Sequence, residues 1–414
     1  MDFNLKPYIL FLISFINCSI VFGQQQNTKI VFVIVDGISA DVLEKIETPT
    51  LDTIAKKGGY TRAYVGGEKD GYSETPTISA VGYNSLLTGT WANKHNVWGN
   101  SIKDPNYNYW TVFRYAKENR PDLKTAIFST WLDNRTKLIG EGLPQTNYLK
   151  LNYHFDGFEL DTVNFPHDED RLYIHKIDEM VVDEAARYIQ DESPDLSWVY
   201  LEYTDDMGHR YGDSEQFHNS IAIMDNQIGR IYKAMDYRRK EYGEDWQIFI
   251  TTDHGRDKET GKGHGGQSDR ERLTWIVTDA DDINDYFKNG TPGIVDILPA
   301  MLRSLEISPE PHRAFEIDGV SITGPLSVSD LKANIQGKYL TLNWKNHNRT
   351  QKLKVYLSTE NGFKNDIYDH YKLVKKVKGN TNSTKIDLDK YPSHFYKIVI
   401  EGKHNSINAW VIAK

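Results

Sequence analysis

Lys29-Ile-Val-Phe-Val-Ile-Val35, followed at once by Asp36-Gly37, is the stretch on which the fold turns. An unbroken β-branched run of this length reads as a strand buried on both faces of a parallel sheet, because neither face is left for polar residues. Two later stretches repeat the pattern. Leu196-Ser-Trp-Val-Tyr-Leu-Glu-Tyr203 leads into Thr204-Asp-Asp206, and Trp246-Gln-Ile-Phe-Ile-Thr-Thr252 leads into Asp253-His254. Helical patterning lies between them, over 50–57, 79–88, 176–189 and 217–239. Strands alternating with helices predict an α/β fold with a doubly wound, mostly parallel sheet and helices on both faces. Ligands of such sheets bind outside the carboxyl ends of the strands, and all three strands run into aspartate.

Outward from this centre, residues 1–23 predict a secretory signal: Lys6 is positive, 8–16 are apolar, and Val21-Phe-Gly23 offers a small-residue cleavage site. The apolar run is short for a membrane span, and no later segment supplies ~20 apolar residues. The expected location is therefore secreted or periplasmic, with no span after signal removal. Beyond about residue 325, short β-rich runs at 339–344, 353–357, 371–374, 385–388, 395–400 and 409–412 are separated by Asn/Gly-rich turns. They predict an all-β sandwich of fibronectin type III character. The expected domains are a signal (1–23), a catalytic α/β domain (24–325) and an accessory β-sandwich (326–414).

With 414 residues, 39% hydrophobic, the chain can bury a core without covalent staples. Its 49 basic against 58 acidic residues give a formal net charge of −9. With no basic block, no nucleic-acid-binding surface is evident. The single cysteine, Cys18, falls within the expected signal, which leaves no internal disulfide and no thiolate zinc site.

The chemistry-bearing residues gather near the strand ends: Asp36, Asp205 and His209 in Asp205-Asp-Met-Gly-His209, the adjacent Asp253 and His254, and His264 in Gly263-His-Gly-Gly266. Three Asp and three His suffice for two zinc-like ions, and paired ions suit displacement at phosphorus. Taken singly, Asp36-Gly37 reads as a turn, Asp205 as a helix cap and His209 as a solvated side chain. Two histidines in glycine-rich loops a dozen residues apart are poorly explained by packing. Glu74-Thr-Pro-Thr-Ile-Ser79 is a hydroxyl-rich entry to a helix. A hydroxyl there is either an N-cap or a nucleophile placed where the helix end favours a phosphate.

These stretches appear in order, together with Leu86-Leu-Thr-Gly89, Asn93-Lys-His-Asn-Val-Trp-Gly-Asn100, Asp296-Ile-Leu-Pro299 and Ile317-Asp-Gly319. Over about residues 28–320 the chain resembles the alkaline phosphatase superfamily, in its type I phosphodiesterase/nucleotide pyrophosphatase branch. The resemblance implies one metal held by Asp205, His209 and His264, and a second held by Asp36, Asp253, His254 and the nucleophile. Counting back from Thr88-Gly89 places that nucleophile on Ser79, with Thr77 as the reserve. It further implies a secreted phosphoric ester hydrolase, a phosphodiesterase using a serine and two divalent ions, zinc foremost. Its substrate would be a small-molecule or carbohydrate phosphoric ester. A monoesterase, a phosphonate or polysaccharide-ester hydrolase, and a non-catalytic binding protein on this scaffold are the alternatives.

Two departures from the branch bear on substrate. The Asn usual three residues after the nucleophile is Gly82, for which Asn84 or Asn100 would have to substitute, and Asn100 is taken as substrate-binding. The segment between His254 and His264 is short, and within it Arg256 is assigned to grip a substrate anion, whereas Lys262 reads as a solvated charge. Arg135 and Lys137 are weaker basic candidates. Tyr64, Tyr72, Tyr83, Trp91, Trp98, Tyr109, Trp110 and Trp131 divide between a stacking platform and core packing, with packing the commoner fate of such residues.

Overall fold

The computed structural model describes residues 28–413, so the expected signal lies outside the described residues. Seven strands form one sheet: β1 (Lys29–Val35), β2 (Gly59–Tyr64), β3 (Thr125–Ser129), β4 (Tyr153–Phe155), β5 (Leu196–Leu201), β6 (Trp246–Thr251) and β7 (Leu273–Thr278). Their order is β2-β7-β6-β1-β5-β3-β4. Only β7 runs against its neighbours. Register puts the business ends side by side: Val35 of β1 lies opposite Leu201 of β5, and Ile34 lies opposite Thr251 of β6. The residues that follow these three strands therefore share one edge of the sheet.

Period-two alternation sorts β1 between two helical layers. Ile30, Phe32 and Ile34 face the layer that contains α2, whereas Val31, Val33 and Val35 face the one containing α1, α3 and α5. These helices span Pro49–Lys57 (α1), Ser79–Thr88 (α2), Leu172–Glu192 (α3), Tyr203–Tyr211 (α4) and Glu215–Tyr242 (α5). One expectation fails at β5. The strand ends at Leu201 rather than Tyr203, so Asp205 lies in the first turn of α4 and not at a strand tip. The buried Asp178 carboxylate on α3 accepts the backbone N–H groups of Glu202 (3.2 Å) and Tyr203 (2.9 Å), which takes them out of the sheet and opens the helix.

The C-terminal strands are β8 (Val328–Gln336), β9 (Tyr339–Asn346), β10 (Lys352–Ser358), β11 (Lys372–Lys378), β12 (Ser383–Asp387), β13 (Phe395–Glu401) and β14 (Ser406–Ile412). They form two antiparallel sheets, β11-β10-β13-β14 and β12-β9-β8. β8 has no counterpart among the expected strands, because its Val-Ser-Asp-Leu-Lys-Ala-Asn-Ile-Gln sequence carries little apolar signal and its register shifts between Ser329 and Lys332. Leu340, Leu342, Leu353, Val355, Ile398 and Ile400 are inaccessible and belong to the same core as Ala80 and Leu86 of α2. No helix among the described residues is long and apolar enough to cross a membrane.

Candidate active site

The sheet edge gathers the six Asp/His residues into two groups of three, Asp36–Asp253–His254 and Asp205–His209–His264. Within each group, one ligand atom per residue lies within 4.8 Å of the others. The first group is inaccessible or nearly so. Gly37 leaves β1 in a left-handed turn (φ +69°) and donates its N–H to Asp253 Oδ1 at 3.1 Å. Asp36 Oδ2 accepts the hydroxyls of Tyr83 and, at 2.8 Å, Tyr200. Those bonds orient the carboxylate so that Oδ1 lies 3.3 Å from His254 Nε2, with Asp253 Oδ2 at 3.4 Å. His254 Nδ1 is 2.9 Å from the Gly255 carbonyl, a bond that turns Nε2 toward the carboxylates.

In the second group, Asp205 and His209 are one turn apart on α4, with Oδ2 and Nε2 separated by 3.2 Å. His209 Nε2 meets His264 Nε2 at 3.1 Å, while His264 Nδ1 is tied to the Thr77 carbonyl at 2.9 Å. His264 stacks on His254 with 3.6 Å between ring centroids, which joins the two groups. Burial, with the neighbouring His254, lowers His264 to about 4. Burial works against the charge of Asp205 as well, but Arg256 and His209 outweigh it and hold the carboxyl far below its ordinary range.

Asp36 Oδ1 and Asp253 Oδ2 are buried yet have no hydrogen-bond partner. Orphaned carboxylate oxygens are costly in a protein interior, and here both sit beside a histidine nitrogen. Mixed carboxylate and imidazole donors of this kind suit borderline divalent cations. The residues present thus fit a metal pair.

Ser79 is the first residue of α2, and its Oγ lies 3.4 Å from His254 Nε2. The N-cap is Ile78, with no side-chain cap, so the Ser79 hydroxyl is not consumed in capping. The Thr77 hydroxyl is fully engaged instead: it donates to the Gly266 carbonyl and accepts the Gly265 N–H, both at 2.9 Å. That pins the loop carrying His264. Asn100 Oδ1 accepts the Ala80 N–H at 3.0 Å, so this residue braces the start of α2 at the mouth of the site.

Arg256 requires correction. Its guanidinium is inaccessible, and each of its three nitrogens donates inside the protein. Nε donates to the Gly37 carbonyl (2.8 Å), one terminal nitrogen to the Lys262 carbonyl (3.2 Å), and the other to both the carbonyl and Oδ1 of Asp205. Buried in this way it presents no surface for a substrate anion; it ties together the turn after β1, the first turn of α4 and the loop leading to His264. A Cβ at Gly208 would lie 2.1 Å from the guanidinium carbon, which accounts for the glycine in Asp205-Asp-Met-Gly-His209. Arg135 is likewise committed, to Asp156 and Glu141, and Lys137 pairs with Asp133. The glycine at position 82 has a steric cause: a Cβ there would lie 2.6 Å from the Asp253 carbonyl oxygen.

A cleft of about 230 Å³ opens on Ser79. Of the aromatics singled out in the sequence, Tyr83 and Trp131 line it; Tyr72 packs instead on Trp410, and Tyr109 on Phe363. Tyr200 and Glu202 also line it and were not singled out. The signal for them was weak. They sit at the end of an apolar strand, where the sequence alone does not say which residues escape the core.

A doubly wound sheet carrying two such Asp/His groups and a helix-borne serine at one edge defines an alkaline-phosphatase-like protein. The chain belongs to the type I phosphodiesterase/nucleotide pyrophosphatase family, which matches residues 30–266. Relatives include ectonucleotide pyrophosphatase/phosphodiesterase family member 7 of Rattus norvegicus, 23% identical over 244 residues, or 56% of this chain and 51% of that one. Family member 5 of Homo sapiens is 24% identical over 254 residues, 60% of this chain and 49% of that one. The chain thus spans about half the length of these relatives. Among solved structures, a 2-O GAG sulfatase superposes with a TM-score of 0.52 at 13% identity, covering 88% of this chain and 86% of that one. That likeness speaks for the fold alone.

Proposed function

We propose that this chain is a metal-dependent phosphodiesterase in which Ser79 is the nucleophile. The observation that carries the reading is the meeting of Ser79 Oγ with His254 Nε2 beside two buried, unpartnered carboxylate oxygens. Asp36, Asp253, His254 and Ser79 would hold one divalent ion and Asp205, His209 and His264 the other, with zinc the expected metal. Bound there, such ions would supply the positive charge that makes a serine hydroxyl nucleophilic and that balances charge on the departing oxygen. The remaining work falls to the chain itself. Ser79 presents Oγ at the N-terminus of α2, where the helix end favours an anionic phosphoryl group. As the Oγ–P bond forms, Oγ gives up its proton and the ester P–O bond to one alcohol breaks, the departing oxygen taking up a proton to leave as the alcohol. Water then cleaves the Oγ–P bond, which restores the Ser79 hydroxyl and releases the monoester.

The test is the initial rate of the zinc-loaded protein on bis-4-nitrophenyl phosphate and on 4-nitrophenyl phosphate, with a chelator control. A chelator-sensitive preference for the diester is expected. Ser79→Ala should lose turnover but keep most of its metal through the remaining Asp36, Asp253 and His254, whereas Asp253→Ala and His209→Ala should lose both. Wild-type turnover in Ser79→Ala would remove the nucleophile assignment. We further propose that residues 1–23 direct export, to be checked by N-terminal sequencing of the exported protein. The seven C-terminal strands, split four against three, support a fibronectin type III-like accessory domain from about residue 326.

A further inference from the structure

The cleft beside Ser79 is small. At about 230 Å³ it falls below the ~300–1,000 Å³ of pockets that enclose drug-sized ligands. Tyr83 and Tyr200 in its wall have committed their hydroxyls to Asp36. Three other polar groups have not been spent. The Glu202 carboxyl makes no hydrogen bond or ion pair with any described residue, nor does the Trp131 indole N–H or the amide nitrogen of Asn100. Trp131 is half-buried and is met edge-on by Tyr83, with 6.3 Å between centroids. No lysine or arginine lines the cleft, and the nearby Arg256 is inaccessible, with all three guanidinium nitrogens bonded inside the protein.

We infer that Trp131, Glu202 and Asn100 form the subsite for the alcohol part of the ester, and that the part of the alcohol next to phosphorus is neutral and hydroxyl-rich, as in a polyol or a sugar ring. The inference rests on the phosphoric ester hydrolase reading above. Hydroxyls of such an alcohol satisfy the carboxyl and the amide, while its C–H surface lies against the indole. An apolar alcohol would leave Glu202 and Asn100 desolvated and unpaired, and a site built to bond a hydroxyl rejects an analogue that lacks one. A second phosphoryl group would enter a wall with no cation to neutralise it. Nucleoside polyphosphates are thereby disfavoured.

The test compares release of 4-nitrophenol from 4-nitrophenyl glyceryl phosphate, 4-nitrophenyl propyl phosphate and 4-nitrophenyl phosphorylcholine by the zinc-loaded protein. In parallel, calorimetry compares the binding of glycerol 3-phosphate with that of propyl phosphate. The expected result is a preference for the glyceryl compound over the propyl compound of roughly tenfold or more in both measurements. Glu202→Leu should bring that ratio near one, while Glu202→Gln, which still bonds a hydroxyl, should keep most of it. A ratio near one in the wild type, an undiminished ratio in Glu202→Leu, or a preference for the choline ester would each overturn the inference. Turnover of bis-4-nitrophenyl phosphate reports separately on the hydrolase reading. Were it absent, the calorimetric ratio alone would decide the subsite, tenfold tighter glycerol 3-phosphate supporting it and equal binding sinking it.

Discussion

Arg256 contributes by holding other residues in place. One buried guanidinium joins the turn after β1, the first turn of α4 and the loop leading to His264. It also neutralises part of Asp205 in a neighbourhood where Asp36, Asp205 and Asp253 crowd one imidazole. Removing one partner of a buried charge pair strands the other, at a cost of about 3–5 kcal/mol. Arg256→Gln should therefore lower the thermal midpoint by several degrees and reduce the metal retained after dialysis. Unchanged metal content would show that Asp205 needs no such brace. In the sequence, Arg256 is merely a cation near a catalytic loop, and that description suits a substrate clamp equally well. What separates the two roles is burial, which depends on Arg256 returning to Gly37 and Ser39, 219 and 217 positions earlier in the chain.

Helix α2 carries Ser79 and helix α4 carries Asp205 and His209, and each is set by one close contact. α2 approaches the Asp253 loop so nearly that position 82 has no room for a side chain. Gly82→Ala would shift α2, and with it Ser79, by several tenths of an ångström at least. A fall in kcat of tenfold or more is expected, with the helical circular dichroism signal retained. α4 begins where Asp178 captures the N–H groups of Glu202 and Tyr203. Burial pushes Asp178 up to about 7, whereas in the unfolded chain it titrates near 4. The native state therefore holds this proton more tightly. The stability it contributes is complete below about pH 4 and is lost as the pH rises through 7. In denaturant unfolding, the advantage of the wild type over Asp178→Asn should shrink between pH 4 and pH 7; an advantage that grew over that range would contradict the shift. The end of β5 at Leu201 is hidden from the sequence for a related reason. Tyr200-Leu-Glu-Tyr203 looks like continuing strand, and only a carboxylate from another helix ends it.

At the scale of the molecule, the C-terminal sheets are fastened to the α/β layer by buried charge. Lys397 of β13 is inaccessible and pairs with Glu316 at 2.9 Å and Asp369 at 2.6 Å. Lys94 bonds Asp318 and, at 2.8 Å, Asn408 of β14. Asp318 in turn donates its N–H to the carbonyl of Gly89, the left-handed residue that closes α2. The helix bearing Ser79 is thus tied at its far end to the C-terminal sheets. Lys397→Ala would strand two buried carboxylates, with an expected loss of about 3–5 kcal/mol. The unfolding curve should shift to lower temperature as one transition. A separate early transition would instead mean that the sheets are energetically independent of the α/β layer.

The local pattern alone determined the central sheet and the Asp and His residues that gather at its edge. A β-branched run announces a doubly buried strand, and Asp-His-Gly and Gly-His-Gly-Gly announce loops shaped for chemistry rather than packing, because each signal is complete within a few adjacent residues. Only the tertiary structure decided which partners those residues have. Tyr83 and Tyr200 converge on Asp36 from 47 and 164 residues away, Thr77 spends its hydroxyl on the loop of His264, and Glu202 is left unpaired in a cleft without a cation. These roles follow from strand register and helix packing, which bring distant segments within hydrogen-bonding reach and leave no periodic trace in any one of them.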